Sequence, residues 1–180
     1  ARHNYRGKNL VMVCILLCNM IPQASTLVPL YRAMDRLQII DTHFGIAFTH
    51  LLCMLPFSII MLKGFIRTIP PTLEEAAMID GCTKLQAIFK IIVPVCSSGI
   101  FATAMYAFMI SWEEFLYAMT FSTSRARTIS IGLKMFSTEF KVDWSSILAA
   151  ATLMTLPILI LFFMIQDTFI KGATNGALKE

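Results

Sequence analysis

The stretch PTLEEAAMIDGCTKLQAIFKIIVP, residues 71–94, is one of the most polar long segments of a chain that is otherwise strongly apolar. Around it the sequence contains four long uncharged runs, at residues 10–31, 44–62, 91–112 and 147–165. Each run approaches or exceeds the roughly 20 residues that a helix needs to cross the hydrocarbon core of a bilayer. The sequence therefore predicts an all-α, polytopic membrane helical bundle with four transmembrane helices and a polar connection in the middle.

The composition separates this chain from soluble domains and from nucleic-acid-binding proteins. It is 57% hydrophobic and only 14% charged, with a mean hydropathy of +0.70, whereas about a quarter of the residues of a soluble domain are charged. The apolar runs are continuous and lack the alternation of a membrane β-barrel. No basic patch interleaved with aromatic residues accompanies the net charge of +4. We expect contact with membrane lipid and no nucleic-acid partner.

The basic residues predict an orientation, because Lys and Arg are enriched in cytoplasmic connections. The chain opens at ARHNYRGKNL without an initiating Met or a secretory signal, so we expect a fragment that begins in a loop. If that amino end is inside, nine basic residues are cytoplasmic and six are outside. The nine are Arg2, Arg6, Lys8, Lys63, Arg67, Lys84, Lys90, Lys171 and Lys179, and the six are Arg32, Arg36, Arg125, Arg127, Lys134 and Lys141.

No pattern in the sequence indicates an enzyme, a metal site or a cofactor. The five cysteines are odd in number and include no Cys-x-x-Cys pair, and Cys14 and Cys18 have no His or carboxylate at ligand spacing. A P-loop glycine run, Gly-x-Ser-x-Gly and His-Glu-x-x-His are all missing from the sequence. We therefore expect no catalytic residues, no bound metal and no cofactor.

Residues 71–94 predict two short helices joined by a turn. Pro71 suits a first helical turn, and Thr72 beside it is a candidate cap. Two acidic residues follow, favourably placed at the positive end of a helix, and then two alanines whose small side chains would let a partner surface approach closely. Asp80-Gly81 can adopt a positive φ and end the helix. The candidate functional residues of this segment are Glu74, Glu75, Ala76, Ala77, Asp80 and Gly81.

A second short helix is predicted from Thr83 to Pro94. Its apolar positions follow helical spacing and its lysines fall off that stripe; the stripe comprises Leu85, Ile88, Phe89 and Ile92. A helical hairpin lying on the lipid would also explain the stripe. It would not require Glu-Ala-Ala followed by Gly at one fixed distance.

EEAAMIDGCTKLQAIFKIIVP resembles the EAA loop of ABC importer permeases. That pattern is Glu-Ala-Ala, three residues, Gly, about nine residues and an Ile-x-x-Pro ending, and the matching residues are Glu75, Ala76, Ala77, Gly81, Ile91 and Pro94. The segments IPQASTLVPLYRAMDRLQIIDTHFGI, LPFSIIMLKGFIRTIP, SWEEFLYAM, RTISIGL and KGATNGALKE are similar to carbohydrate-importer permeases related to the smaller maltose-transporter permease. The resemblance implies that residues 1–180 are the last four helices of a six-helix core.

The same resemblance implies a mechanism and a set of partners. The EAA loop, at about residues 70–94, would dock its first helix in a cleft of an ATPase subunit and transmit closure of the ATPase dimer to the spans. The tail, residues 171–180, would be cytoplasmic and would also contact the ATPase. The implied partners are a second homologous permease subunit, two ABC ATPase subunits, an extracytoplasmic solute-binding protein and a sugar, at a bacterial or archaeal cytoplasmic (inner) membrane.

Polar residues within the apolar runs are candidates for a substrate path, because an uncompensated polar group in hydrocarbon is costly. The run around Pro22 and Pro29 further suggests a kinked helix whose freed carbonyls face a cavity. Glu113 stands where relatives usually carry Asn, and both it and Glu114 have the alternative of lying at the outer interface. The full set is Asn19, Gln23, Ser25, Thr26, His50, Ser97, Ser98, Ser111, Glu113 and Glu114, among which we favour Asn19, Gln23, Ser25, His50, Ser111 and Glu114.

Three functions fit these patterns. The preferred one is a permease subunit for a di- or oligosaccharide; the alternatives are a permease for a polyol, glycerol phosphate or peptide, and a non-transporting membrane anchor or sensor. For the transporters, the external loop at residues 122–145 is expected to meet the binding protein through its charged residues, which are Arg125, Arg127, Glu139, Lys141 and Asp143.

Overall fold

A computed structural model describes residues 5–137 and 142–177. The predicted all-α fold is confirmed, since the regular elements within those ranges are all helical. In chain order they are α1 (Lys8–Met20), α2 (Gln23–Arg36), α3 (His43–Thr68), α4 (Thr72–Ile79), α5 (Lys84–Ala87), a π-helical turn (Ile88–Ile92), α6 (Val93–Val95), α7 (Ser97–Glu113), α8 (Leu116–Phe121), α9 (Ile129–Lys134) and α10 (Trp144–Ala177).

The four predicted spans are not four uninterrupted helices. In the described part of the chain, two helices are long and apolar enough to cross a membrane: α3 and the Trp144–Met164 part of α10. Up to two more crossings are formed if each bent pair acts as a unit, namely α1 with α2, which meet at 102°, and residues 84–95 with α7, which meet at 74°. The runs at residues 10–31 and 91–112 each contain a break, and four spans are reached if each bent pair crosses as one unit.

Pro22 accounts for the first break. It precedes α2 in an extended conformation and, having no N–H, cannot continue the hydrogen bonding of α1. The hydroxyl of Ser25 donates to the carbonyl of Pro22 at 2.7 Å, and that of Thr26 donates to Gln23 at 2.7 Å. Pro29 lies inside α2 without ending it. The predicted kink is thus at Pro22, and the carbonyl of Cys18, which a residue-22 N–H would have reached, accepts instead from the N–H of Ile21 at 3.4 Å.

The second break follows the π-helical turn and Pro94. A proline in the first turn of α6 removes one backbone donor, and a π-turn places one extra residue in a helical turn. The chain turns at Cys96, whose N–H donates to Ile92 and whose carbonyl accepts from Ile100. Residues 84–95 therefore form one helical arm set at an angle to the long helix α7.

Helices α3 and α7 pack closely along their lengths. A Cβ added to Gly99 would overlap the ring and Cβ of Phe65, so glycine is required for this approach. Higher along the pair, the rings of Phe57 and Tyr106 lie with centroids 4.3 Å apart. The two helices thus approach closely at both points, with the tight packing that is typical of protein cores.

A buried cluster at the far end of this pair joins α2, α3 and α8. Met34, Tyr117 and Phe121 form its centre, with partly buried apolar side chains around them. The connection between α2 and α3, residues 37–42, lies against it, because the N–H of Asp41 donates to the carbonyl of Phe121 at 2.9 Å. The α2–α3 connection and the segment after α8 are therefore held together.

Candidate functional site

The first helix of the candidate site is α4. Pro71 precedes it in a helical conformation, and the carboxylates of Glu74 and Glu75 fall in its first turn, as predicted. Thr72 is the first residue of the helix rather than its cap, so the prediction of a Thr72 cap is wrong. The backbone supplies the reason: the carbonyl of Pro71 already accepts from the N–H groups of Glu74 and Glu75.

The turn after α4 depends on Gly81. Its φ is +87°, in the left-handed region that side-chain-bearing residues rarely adopt, which confirms the predicted turn. Its N–H donates to Met78 at 3.1 Å, and the N–H of Cys82 donates to Ala77 at 3.0 Å. An added Cβ would meet open space. Gly81 is therefore required by backbone conformation and not by crowding.

The second helical arm begins with a reciprocal cap. The side chain of Gln86 accepts from the N–H of Thr83 at 2.8 Å, while the hydroxyl of Thr83 accepts from the N–H of Gln86 at 3.4 Å. This capping box ties the arm to the turn at Gly81. The chain direction between α4 and the arm is thus defined on both sides of the turn.

The predicted apolar stripe of the arm is divided between two faces. Ile92 is buried, but Leu85 is 69% exposed and Phe89 is 68% exposed. Ala87 and Ile92, which are five residues apart, share the buried face. The π-turn explains this spacing, because its hydrogen bonds join residues five apart instead of four.

Several apolar side chains of this helix-turn-helix are exposed, whereas Ala77 is buried. Ala77 is 2% exposed, so the prediction that its methyl group faces a partner is wrong: α4 packs against the arm, and Ala77 is on the packed side. Ala76 is exposed. Ile79, 86% exposed, joins Leu85 and Phe89 in presenting apolar surface. We call the exposed side chains of Ala76, Ile79, Leu85 and Phe89 the loop face.

A second candidate site lies at the other end of α7, where three of the predicted path residues meet. The Nδ1 atom of His50 is 2.8 Å from the hydroxyl of Ser111, and its Nε2 atom is 3.3 Å from a carboxylate oxygen of Glu114. Both His50 and Glu114 are buried. Glu114 is thus enclosed by protein, whereas Glu113 is exposed; the outer-interface alternative stays a prediction for both.

Glu114 also organises the backbone around this polar cluster of His50, Ser111 and Glu114. Its carboxylate accepts the N–H groups of Tyr117 at 2.8 Å and Ala118 at 3.0 Å, at the start of α8. Its carbonyl accepts the hydroxyl of Ser130 at 2.8 Å, which brings α9 to the same point. Glu114 therefore joins three helices: its carboxylate contacts α3 and α8, and its backbone carbonyl contacts α9.

A cavity of about 340 Å³ opens beside the polar cluster. Its wall combines polar atoms of His50 and Ser111 with the aromatic side chains of Phe108 and Trp112, which stack with ring centroids 5.3 Å apart. Trp112 is fixed by a hydrogen bond of 3.1 Å from its indole N–H to the carbonyl of Met154 in α10. Mostly apolar cavities with a few convergent polar groups are typical of small-molecule sites.

The other favoured path residues do not reach this cluster. Asn19 is exposed on α1, Gln23 donates to the sulfur of Cys53 at 3.2 Å, and Ser25 is turned to the backbone of Pro22. Thr26 pairs with the hydroxyl of Tyr117. Ser97 and Ser98 begin α7, at the opposite end from Ser111.

The sequence reasoning overlooked Asp41. Its carboxylate accepts from four successive backbone N–H groups, at residues 123–126. The sequence shows only an acidic residue directly before Thr42, which caps α3 by accepting from Gly45; the left-handed φ of Asp41 is a property of the fold. Its partner is 82 residues away, and spacing alone could not supply it.

Several predicted residues lie outside the described part of the chain. These are Arg2, Glu139, Lys141 and residues 178–180 of the tail, while the backbone of residues 171–177 continues α10. The five cysteines are free. Among the described residues, no group of three His, Cys, Asp or Glu side chains could hold a metal ion.

Comparison with known proteins places these features in a wider context. Residues 1–175 match the family model described as "Binding-protein-dependent transport system inner membrane component". The chain is 36% identical over 180 residues to the sulfoquinovosyl glycerol transport system permease protein SmoH of Agrobacterium fabrum, covering 99% of this chain and 63% of that protein. It is 32% identical over 181 residues to the trehalose/maltose transport system permease protein MalG of Thermococcus litoralis, covering 99% and 65%.

A solved structure supports the same fold. The chain aligns with the crystal structure of a bacterial ABC transporter involved in the import of the acidic polysaccharide alginate, with a TM-score of 0.74 at 18% identity, over 93% of this chain and 64% of that one. The chain thus spans just under two thirds of the length of these relatives.

Proposed function

The chain belongs to the family of inner membrane components of binding-protein-dependent transport systems, and on that premise we propose that it is a permease subunit of an ABC importer that carries a sugar into the cell. The helix-turn-helix at residues 72–95 is the observation that carries this proposal. A protein that served only as a membrane anchor or sensor would not need a left-handed glycine and a capping box to fix two short helices outside the apolar runs.

We assign coupling to ATP hydrolysis to this helix-turn-helix. The role belongs to Glu74, Glu75, Ala76, Asp80 and Gly81, together with the loop face. A partner ATPase would bury the apolar side chains of Ile79, Leu85 and Phe89, each of which is now largely in contact with solvent. Burial of apolar area supplies about 25 cal/mol per Å². Ala77 would act from inside, by keeping α4 close to the arm.

The polar cluster and its cavity are proposed as a part of the substrate path. Sugar hydroxyl groups both donate and accept hydrogen bonds, and His50 and Ser111 offer both functions. The faces of Phe108 and Trp112 provide apolar surface for the C–H groups of a sugar ring. Glu114 would keep His50 in place through the 3.3 Å contact. Asn19, Gln23 and Ser25 would belong to a separate part of the path along α1 and α2.

The solute class is inferred from the relatives. Their names specify sulfoquinovosyl glycerol, diacetylchitobiose and trehalose or maltose, each of which contains a sugar unit. A di- or oligosaccharide or another glycoside is therefore the proposed solute. A polyol, a glycerol phosphate or a peptide is the alternative.

The proposed assembly contains a second homologous permease subunit, two ABC ATPase subunits and an extracytoplasmic binding protein. The location is the cytoplasmic (inner) membrane, with residues 70–94 and the C-terminus in the cytoplasm. The external loop, residues 122–145, would face the binding protein. Catalysis of ATP hydrolysis is assigned to the partner ATPase.

Solute uptake tests this proposal. Right-side-out membrane vesicles containing the full permease and its copurifying partners are supplied internally with ATP and externally with a purified binding protein from the same organism. A panel of labelled disaccharides, glycosides, polyols, glycerol phosphates and peptides is then offered. We expect saturable, ATP-dependent uptake of a sugar. Uptake of only a polyol, phosphate or peptide would replace the solute class, and the absence of a copurifying ATPase would favour an anchor or sensor.

The loop face provides a matched pair of variants for the same assay. Ile79→Glu places a charge on the face and is expected to abolish uptake. Lys90→Gln changes an exposed residue of the arm outside the face and is expected to leave uptake near wild type. Equal uptake by both variants would contradict the assignment of the loop face to an ATPase contact.

A further inference from the structure

The strongest unassigned contact in the described chain is made by Asp41. One carboxylate oxygen accepts the backbone N–H groups of Thr123 at 2.9 Å, Ser124 at 3.1 Å, Arg125 at 3.1 Å and Ala126 at 3.3 Å. The other oxygen accepts from the N–H groups of Ser124 and Arg125 and from the Ser124 hydroxyl, at 3.1–3.2 Å. Successive N–H groups that converge on one point form an anion-binding nest. In this protein the anion in the nest is the carboxylate of Asp41, a residue of the same chain.

The contact is electrostatically strong. The N–H of Thr123, followed by those of Arg125, Ala126 and Ser124, holds the pKa of Asp41 well below its usual range, against an opposing effect of desolvation. Because the folded-state pKa is depressed, the contact is fully present above the unfolded value of about 3.9 and is lost only as pH falls through the lower folded value. Asp41 is therefore a permanent anion at any pH near neutrality.

The connection that carries Asp41 is held in an unfavourable shape. Asp41 has a φ of +55° and Gln38 a φ of +56°, although neither is glycine. Such conformations persist where the surroundings determine them, and they cluster at functional positions. The surroundings are the buried cluster of Met34, Tyr117 and Phe121, to which residues 37–42 are joined. The left-handed conformations at Gln38 and Asp41 thus lie in the connection whose carboxylate contacts residues 123–126.

The segment that Asp41 holds presents two arginines. Arg125 and Arg127 are exposed, while Ala126 between them is buried. Arg127 is braced by donating to the carbonyl of Thr123 at 3.4 Å. Among the described residues, no carboxylate forms an ion pair with either guanidinium group. Two exposed cations on a turn whose backbone is held by Asp41, and which no described carboxylate pairs with, are suited to an acidic surface.

We infer that Asp41 is a positioning residue, which holds residues 123–126 in a nest so that Arg125 and Arg127 meet an acidic patch of the extracytoplasmic binding protein. The inference rests on the proposed function, since it needs the binding protein as the partner. Asp41 itself would not touch that protein. It would act by removing the freedom of the two arginines before binding, which lowers the entropic cost of docking.

The test compares Asp41→Ala with Asp35→Asn in the full permease. Asp35 is an exposed acid of the preceding helix and is the control. Hydrogen exchange of the amides of residues 123–126 measures positioning, and the half-saturating concentration of the binding protein in the uptake assay measures docking. We expect Asp41→Ala to remove protection of these amides and to raise the half-saturating concentration several-fold, with the maximal rate little changed. Asp35→Asn should match wild type in both.

A double-mutant cycle separates positioning from a general structural role. Arg125→Gln with Arg127→Gln should also raise the half-saturating concentration, and it should reduce the salt dependence of docking. Because Asp41 acts through these arginines, adding Asp41→Ala to that pair should produce little further change.

Failure of the inference about Asp41 can be distinguished from failure of the proposed function. Additive effects, an unchanged half-saturating concentration in Asp41→Ala, or retained amide protection in that variant would each overturn the inference. If wild-type vesicles show no response to any binding protein, the proposed function fails and so does the partner named here. The exchange measurement would still decide, in that case, whether Asp41 orders residues 123–126.

Discussion

At the scale of single residues, Gly81 is required by its backbone angle and not by the space around it. Its φ of +87° is the conformation that a Cβ opposes, although the space around it is open. A left-handed conformation costs a non-glycine residue about 1–2 kcal/mol. This cost is small compared with the packing of the membrane helices, so the effect of a substitution should be confined to the helix-turn-helix.

We therefore predict that Gly81→Val leaves insertion and pairing with the second permease intact but abolishes solute uptake and solute-stimulated ATP hydrolysis together. Gly64→Ala is the control, because Gly64 is helical and also has open space. It should be neutral or slightly stabilising, by up to about 1 kcal/mol. Membrane quantity, copurification and uptake are measured in parallel. Normal uptake by Gly81→Val at normal expression would contradict the coupling assignment.

Glu114 is a residue whose removal should affect stability directly. Glu114→Ala leaves the N–H groups of Tyr117 and Ala118 without their acceptor and removes the carboxylate that lies 3.3 Å from His50 Nε2. An unsatisfied buried donor costs about 1–3 kcal/mol. We predict a clear fall in the thermal unfolding midpoint of the detergent-solubilised permease.

The exposed neighbour Glu113 is the control for that measurement. Glu113→Ala should lie within about 0.5 kcal/mol of wild type, as surface substitutions usually do. An equal fall of the thermal unfolding midpoint in both variants would show that the loss of stability does not come from the hydrogen bonds of Glu114.

At the scale of elements, the contact between α3 and α7 determines whether the two helices can approach. We predict that Gly99→Ala destabilises the protein by about 1–3 kcal/mol, because the new methyl group overlaps Phe65. Combining it with Phe65→Ala should recover part of the loss, which a thermal unfolding cycle would detect. The double variant being less stable than the sum of the two single changes would count against direct contact.

Only some features of the helical elements could be predicted from the sequence. Local chemistry at residues 71–83 was sufficient to predict the acidic first turn, the left-handed turn at Gly81 and a second helix from Thr83. It was not sufficient for the exposed positions of Leu85 and Phe89, because a π-turn is not encoded by any apolar spacing. The break at Pro22 was visible as a kink, but its angle of 102° was not, and in the fold α1 packs on α3 while α2 packs on α8.

At the scale of the whole molecule, the orientation in the membrane is open to a direct test. We predict that Cys82, which is half-buried at the turn, reacts with a membrane-impermeant thiol reagent only in inside-out vesicles or permeabilised cells. The other four cysteines are first replaced, since Cys14 and Cys18 are exposed on α1. Labelling of Cys82 from outside intact cells would reverse the topology.

Contacts between helices that are distant in the chain were the feature that the sequence predicted least well. Residues His50, Ser111 and Glu114 were selected only for being polar within apolar runs, and their meeting at one point required the packing of α3 on α7. Gln23 and Ser25 were selected on the same ground, yet Gln23 is satisfied by Cys53 of α3 and Ser25 by the carbonyl of Pro22, away from that cluster. Polarity in a membrane run indicates that a partner exists, and only the fold identifies that partner.

The angle between the helical arm and α7 determines how a displacement of residues 84–95 would move α7. Because the two axes meet at 74°, a displacement of residues 84–95 along their own axis has a component along α7 of only about 0.28 of its length, which is cos 74°, and a transverse component of about 0.96, which is sin 74°. An axial push would therefore swing the near end of α7 sideways far more than it would slide that helix through the bilayer. Opening of a pathway would then take the form of a lateral tilt, with little vertical travel of the cavity beside Ser111.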